Sequence, residues 1–144
     1  MLLLVPAGVL VLVILGALAV DAALAFLGQR ALTDAAAAAA NDVAAAALSD
    51  AAFYRDGRVA LDRAAAVRLA ADTVARQGLR GVEVTDRAVE VVGPQVCVRL
   101  TGRVRYLFSP LVPGADRSAV VHGRAIATAV RGEGPGVPAA SLDC

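Results

Sequence analysis

The sequence predicts an α+β protein: a long N-terminal helix, a second short helix, and a small antiparallel sheet of about four strands. Three observations predict it. An uncharged apolar run from Leu2 to Val20 leads into an Ala-rich stretch, Ala31 to Ala52, that holds neither Gly nor Pro. Beyond Gly78 the apolar period changes from 3.6 residues to 2. The chain is 58% hydrophobic but only 3% aromatic, without Trp, so its core must be made of small side chains.

The first segment is too apolar for a soluble domain. A run of about 18 or more apolar residues reads as a transmembrane helix. Residues 1–29 are therefore expected to form an anchor, touching lipid through residues 2–27. Pro6 lies in the first turns, where Pro is tolerated. The competing reading is a cleaved signal peptide, because Ala17-Leu18-Ala19 and Ala23-Leu24-Ala25 both fit a small-x-small site. The lack of a basic n-region favours a retained anchor. Asp21 interrupts the run. A carboxylate beside an apolar helix is costly unless it reaches the interface or a partner. It either marks the membrane boundary or pairs with a positive group on a neighbouring subunit, an amino terminus or an Arg.

Residues 30–52 continue the helix, since Ala is the best helix former. Leu32, Ala35, Ala36, Ala39, Val43, Ala46, Ala47 and Ala51 recur at helical spacing and form one small-residue stripe. From Leu2 to Ala52 such a helix spans roughly 75 Å. Gly28 is the expected bend. Small residues along Ala31 to Ala52 suit close helix–helix approach.

Residues 53–131 read as a small α+β domain. Phe53 to Arg58 is a loop with a turn at Asp56-Gly57. Asp62 caps a helix from Arg63 to Gln77, and Gly78 suits its C′ position. Ala66, Leu69, Ala70, Thr73 and Val74 form its inner face. Val82 and Val84 alternate with Glu83, and Val89 and Val91 with Glu90, so a turn across Thr85 to Ala88 would separate two short strands. The clearest strand is Val96 to Phe108. Its even positions are apolar, and its odd positions carry Cys97, Arg99, Arg103 and Arg105. Pairing Val91 with Val96 and Val89 with Val98 puts all four in the core, and a one-residue slip would bury Glu90. After the loop Ser109 to Arg117 comes a strand from Ser118 to Val130. Its small odd residues, from Ala119 to Ala129, let an Ala-rich helix approach closely, and His122 and Arg124 point outward. Residues 132–144 form a Gly/Pro-rich tail, expected to be flexible.

Little in the chain resembles catalytic chemistry. His122 is the lone His and has no acidic or Cys neighbour in sequence. Gly132-Glu133-Gly134-Pro135-Gly136 opens no helix and has no Lys, so it is not a phosphate loop. One His and two Cys exclude most multi-ligand metal sites within one chain, and no cofactor is expected. All basic residues are Arg, and the formal net charge of +1 argues against nucleic acid as a partner. Arg99, Arg103 and Arg105 form a basic stripe, either a solvated sheet face or a docking surface for an acidic partner. Cys97 and Cys144 allow one intramolecular disulfide. Free thiols, or an intermolecular bond through Cys144, are the alternatives.

Leu4-Val5-Pro6-Ala7-Gly8, the apolar run to Val20, Asp21, Arg30 and Ala31-Leu32-Thr33-Asp34 with the following Ala tract carry a resemblance. Over about its first third the chain resembles the TadE/TadG-like pilin-like proteins of the Tad (Flp-type) pilus system, of the actinobacterial kind. It departs from prepilin-peptidase substrates. Gly8 is followed by apolar residues through Val13, where those carry a Glu, and no basic leader precedes it. Either that peptidase does not process the chain, or the true start lies upstream. The resemblance implies a pilin-like plan and a non-enzymatic, single-pass membrane protein with its domain outside the cytoplasm. It implies a minor pilin or assembly role in a hetero- or homo-oligomer with other pilin or Tad proteins. Asp21, Arg30 and Asp34 are then the expected helix-packing residues. The alternative is a secreted binding domain released by signal peptidase and using its Arg-bearing sheet. A subunit of a membrane enzyme complex is a third reading.

Overall fold

The computed structural model describes residues 4–57, 59–129 and 144. Helix α1 (Leu4–Ala46) is followed by α2 (Asp50–Asp56) and α3 (Arg63–Arg76). Strands β1 (Val82–Val92), β2 (Gln95–Arg105) and β3 (Ser118–Thr128) form an antiparallel sheet in the order β1-β2-β3. The second half of α1 lies on one face of the sheet, against β2 and β3, and α3 packs beside it. The α+β plan is as expected, with three strands among the described residues in place of about four.

Helix α1 has 43 residues and so rises about 65 Å. It runs through Gly28 without interruption, which corrects the expected bend. Gly28 is buried, and a Cβ there would collide with Val104 Cγ2. The sheet answers with glycines of its own. A Cβ on Gly102 would stand 2.8 Å from Val82 Cγ1 and 3.0 Å from Leu32 Cδ1, and one on Gly123 would strike the backbone of Leu32. These glycines set how closely helix and sheet approach. Around them the core contains Leu32, Ala35, Ala36, Ala39, Val43 and Ala47 from the helix side, with Val96, Val98, Leu100, Val104 and Val121 from the sheet. Ala40 joins this core, whereas Ala46, expected in the stripe, faces solvent.

The helix ends at Ala46, short of Ala52. The chain there turns to pair with the residues before α3. Ser49 N donates to Ala60 O at 2.8 Å, Asp62 N donates to Ala47 O at 2.8 Å, and Leu48 bridges Leu61. A new helix then starts at Asp50, an acidic first-turn residue, where Phe53 to Arg58 had been expected to loop. Gly57, at φ +65°, follows its end. Helix α3 matches its signals closely. Asp62 Oδ1 accepts from Ala65 N at 2.8 Å, Gly78 follows at φ +56°, and Ala66, Ala70, Thr73 and Val74 are buried.

Strand β1 is continuous through Thr85 to Ala88, where a turn was expected. Thr85 is an extra residue between the Val84–Gly102 and Asp86–Thr101 pairs, and its hydroxyl donates to Thr101 O at 3.2 Å. A bulge shifts side-chain parity by one. Val82 and Val84 before it therefore face the same side as Val89 and Val91 after it. A turn would have produced the same change of parity. Beyond the bulge the expected register holds, with Val89 opposite Val98, Glu90 opposite Cys97 and Val91 opposite Val96. Strand β3 pairs in full with β2 and ends at Thr128. Val130 and residues 131–143, including the Gly132–Pro138 segment, lie outside the described residues.

Adding a methyl group at Gly123 should therefore cost about 1–3 kcal/mol by overpacking. Gly16→Ala, where a Cβ meets nothing within 4 Å, should leave the unfolding midpoint essentially unchanged. Urea denaturation of Gly123→Ala and Gly16→Ala, followed by circular dichroism, measures the difference.

Candidate functional site

Helix α1 and strand β2 run in opposite directions. Val104 lies by Gly28 and Gly102 by Leu32. The chain beyond β2 therefore descends along the helix towards its N-terminal half, and there it meets Asp21. The carboxylate is 3% exposed and accepts four hydrogen bonds. Leu107 N and Phe108 N donate to Oδ1 at 2.8 and 3.1 Å, and the main-chain N and the Oγ of Ser109 donate to Oδ2, each at 2.7 Å. An ionised carboxylate offers about four acceptor positions, and all are filled. Bonds to an ionised acceptor are the stronger kind. They also satisfy free amides at the start of the 3-10 turn Ser109–Leu111, which has no capping side chain of its own.

This geometry changes the reading of Asp21. Its hydrogen-bond partners lie in its own chain, 86 to 88 residues away. It also explains why β2 stops at Arg105 instead of Phe108. The amides of Leu107, Phe108 and Ser109 turn towards the carboxylate and leave the ladder. Ser109 was not foreseen as a functional residue. Its signal was Ser109-Pro110, a helix-start dipeptide that needs an acceptor for its amides.

Asp21 also divides the helix. On the N-terminal side Val5, Val9 to Leu15 and Leu18 are exposed, while from Asp21 onward Leu24, Gly28 and Leu32 are packed. The docked part thus begins at Asp21, inside the segment 1–29 expected to be anchor. Of the small residues from Ala31 to Ala52 expected to suit partner helices, those from Leu32 to Ala47 on the packed face are occupied by the chain's own sheet and α3. Arg30 and Asp34 form an exposed i,i+4 pair at 3.9 Å. A pair of that kind contributes about 0.3–0.5 kcal/mol.

The outer sheet face does not form one basic surface. Arg99, Arg103 and Arg105 do project there, but β1 supplies acids beside them. Arg99 pairs with Glu90, and Arg103 lies opposite Glu83. His122 sits opposite Thr101, with Nδ1 3.3 Å from its hydroxyl. Arg124 lies opposite Arg99 and donates to the main-chain oxygen of Cys144 at 2.7 Å. Cys144 is joined to Cys97 by a disulfide, which explains how Cys97 on the outer face is fully buried. On the other side of the sheet, Thr73 Oγ1 donates to Asp42 Oδ2 at 2.8 Å and accepts from Arg76 Nη2 at 3.1 Å, tying α3 to α1. Among the described residues no three His, Cys, Asp or Glu side chains come together as a metal site.

No family model, curated protein or solved structure matches the chain.

Two outcomes follow from these contacts. Asp21→Ala should speed hydrogen exchange at the amides of Leu107, Phe108 and Ser109 and leave Val96 to Leu100 protected, as read by exchange mass spectrometry. The disulfide spans 47 residues, so Cys144→Ser should lower stability by about 2–4 kcal/mol in urea. Reducing agent should then have no further effect on the variant.

Proposed function

We propose that this chain is a membrane-anchored, non-catalytic assembly protein of the pilin-like kind, with its sheet domain outside the cytoplasm. One observation carries the reading. A single helix is apolar and, apart from half-buried Ala17, exposed on all sides from Val5 to Val20, and from Asp21 onward it packs one face on its own domain, with Phe26 and Leu27 still exposed. Residues 4–20 rise about 25 Å, close to the roughly 30 Å hydrocarbon core of a bilayer. The free half also carries Gly8 and Gly16, small residues of the kind that let transmembrane helices approach. Lateral packing of this half with partner helices is the proposed means of assembly. The resemblance of the first third to TadE/TadG-like proteins makes a Tad-type adhesion pilus the proposed setting, as minor pilin or assembly factor.

The same geometry supports a second reading. Signal-peptidase cleavage after Ala19 would leave Asp21 and the whole core in place and release a small secreted domain. Cleavage after Ala25 would remove the carboxylate that holds Leu107 to Ser109.

Intact mass, without reducing agent, of native protein from the membrane pellet and from the sheared surface fraction separates the two. A mass retaining Leu2 to Val20 in the membrane supports the anchor, and its presence in sheared material makes the chain a filament subunit. A soluble species beginning at Val20 overturns anchoring in favour of the secreted domain.

A further inference from the structure

The loop after β2 is apolar and uncovered. Leu107, Phe108, Leu111 and Val112 are exposed, Leu111 to 78%, and Pro110 and Pro113 lie among them. Contiguous exposed apolar surface of this kind marks an interaction site. Its position decides what it meets. Asp21 holds Leu107, Phe108 and Ser109 against α1 at the residue where the free apolar helix begins. Asp21 lies about 10 Å along the helix from Gly28, where β2 and the start of β1 pack. The loop is therefore on the side of the domain that faces the free helix.

The aromatic residues point to the same level. The chain has three Phe and two Tyr. Phe26, Tyr106 and Phe108 lie at this junction, and Phe53 and Tyr54 belong to α2 at the other end of the docked helix. Tyr and Trp concentrate at the level where helices leave a bilayer, and Phe and Leu line the apolar side of interfacial segments. Arg105 and Arg117 flank the loop at the ends of β2 and β3, with Asp116 beside Arg117, and both Arg side chains are exposed. Apolar groups at the tip with cations behind them match the order of acyl chain and headgroup.

We infer that the segment Leu107–Val112 is a second membrane contact, seated in the interfacial layer of the bilayer that α1 crosses. Leu111 and Val112 enter the acyl boundary, and Arg105 and Arg117 face lipid phosphates. This rests on the reading of residues 4–20 as a membrane segment. It implies that the domain sits on the bilayer surface and not above it.

The absence of Trp from the chain makes the test direct. Single-Trp variants of the full chain, Leu111→Trp, Val112→Trp, Leu12→Trp and Tyr54→Trp, are reconstituted into phosphatidylcholine vesicles containing phosphatidylglycerol. Trp emission is then compared with and without brominated acyl chains. The expected result is quenching of Leu111→Trp and Val112→Trp approaching that of Leu12→Trp, with Tyr54→Trp unaffected. Quenching of Leu12→Trp alone overturns the loop contact and leaves the membrane anchor standing. Quenching of none overturns both. If Leu111→Trp is shielded from aqueous acrylamide yet unquenched by bromolipid, protein covers the loop, a second copy or another chain, and the lipid proposal falls.

Discussion

The fold depends on how closely a helix can lie on a sheet when neither has large side chains to offer. Alanine dominates the docked half of α1, and valine, alanine and glycine dominate the facing strands. Such residues fill a core to normal density only if the backbones come together. Gly28 on the helix and Gly102 and Gly123 on the sheet remove the Cβ atoms that would hold them apart. Leu32, fully buried, fits between Gly102 and Gly123. The scarcity of aromatics and the placement of these glycines are two sides of one constraint.

Asp21 plays a different part. It lies where the apolar surface of α1 stops being free and becomes packed, and it is buried with no cation paired to it among the described residues. Its charge is met by main-chain amides and one hydroxyl. A buried charge held this way is strongly directional, because few chain conformations aim three amides at one carboxylate. It fixes the end of β2 and draws the following loop onto the helix. Sheet register, set by the hairpin at Gly93-Pro94, and loop placement, set by Asp21, are thus specified independently at opposite ends of the same strand.

What could be read from the residues was what depends on near neighbours. The alternation from Val96 to Val104, the cap at Asp62 and the small inward face of β3 all rest on local periodicity, and the structure shows them as expected. Where the structure departs from that reading, the reasons are a local ambiguity of parity and partners distant in sequence. A bulge at Thr85 and a turn at Thr85–Ala88 change parity alike, so the pattern of β1 also reads as two strands. Gly28 reads as a bend because its packing partner, Val104, is distant in sequence. The Ala tract gives no reason to stop at Ala46. What stops the helix is pairing of Leu48 and Ser49 with residues beside Asp62. Asp21 stands out in the sequence as a carboxylate in an apolar run, read as a membrane boundary or a partner of another subunit, and its bonds to Leu107, Phe108 and Ser109 are hidden by a separation of 86 to 88 residues.

The unbroken course of α1 through Gly28 has a mechanical consequence. The chain has no tether between its apolar segment and its head, only a single rod to which the sheet is fixed along more than half its length. Transmembrane helices tilt by about 20° on average. In the proposed anchor, any such tilt would pass whole to the sheet. Each residue of an α-helix turns it by about 100°, so inserting one residue in the free half would swing the outer sheet face round the rod by that angle. Where the head points is written into the helix's own rotation and depth.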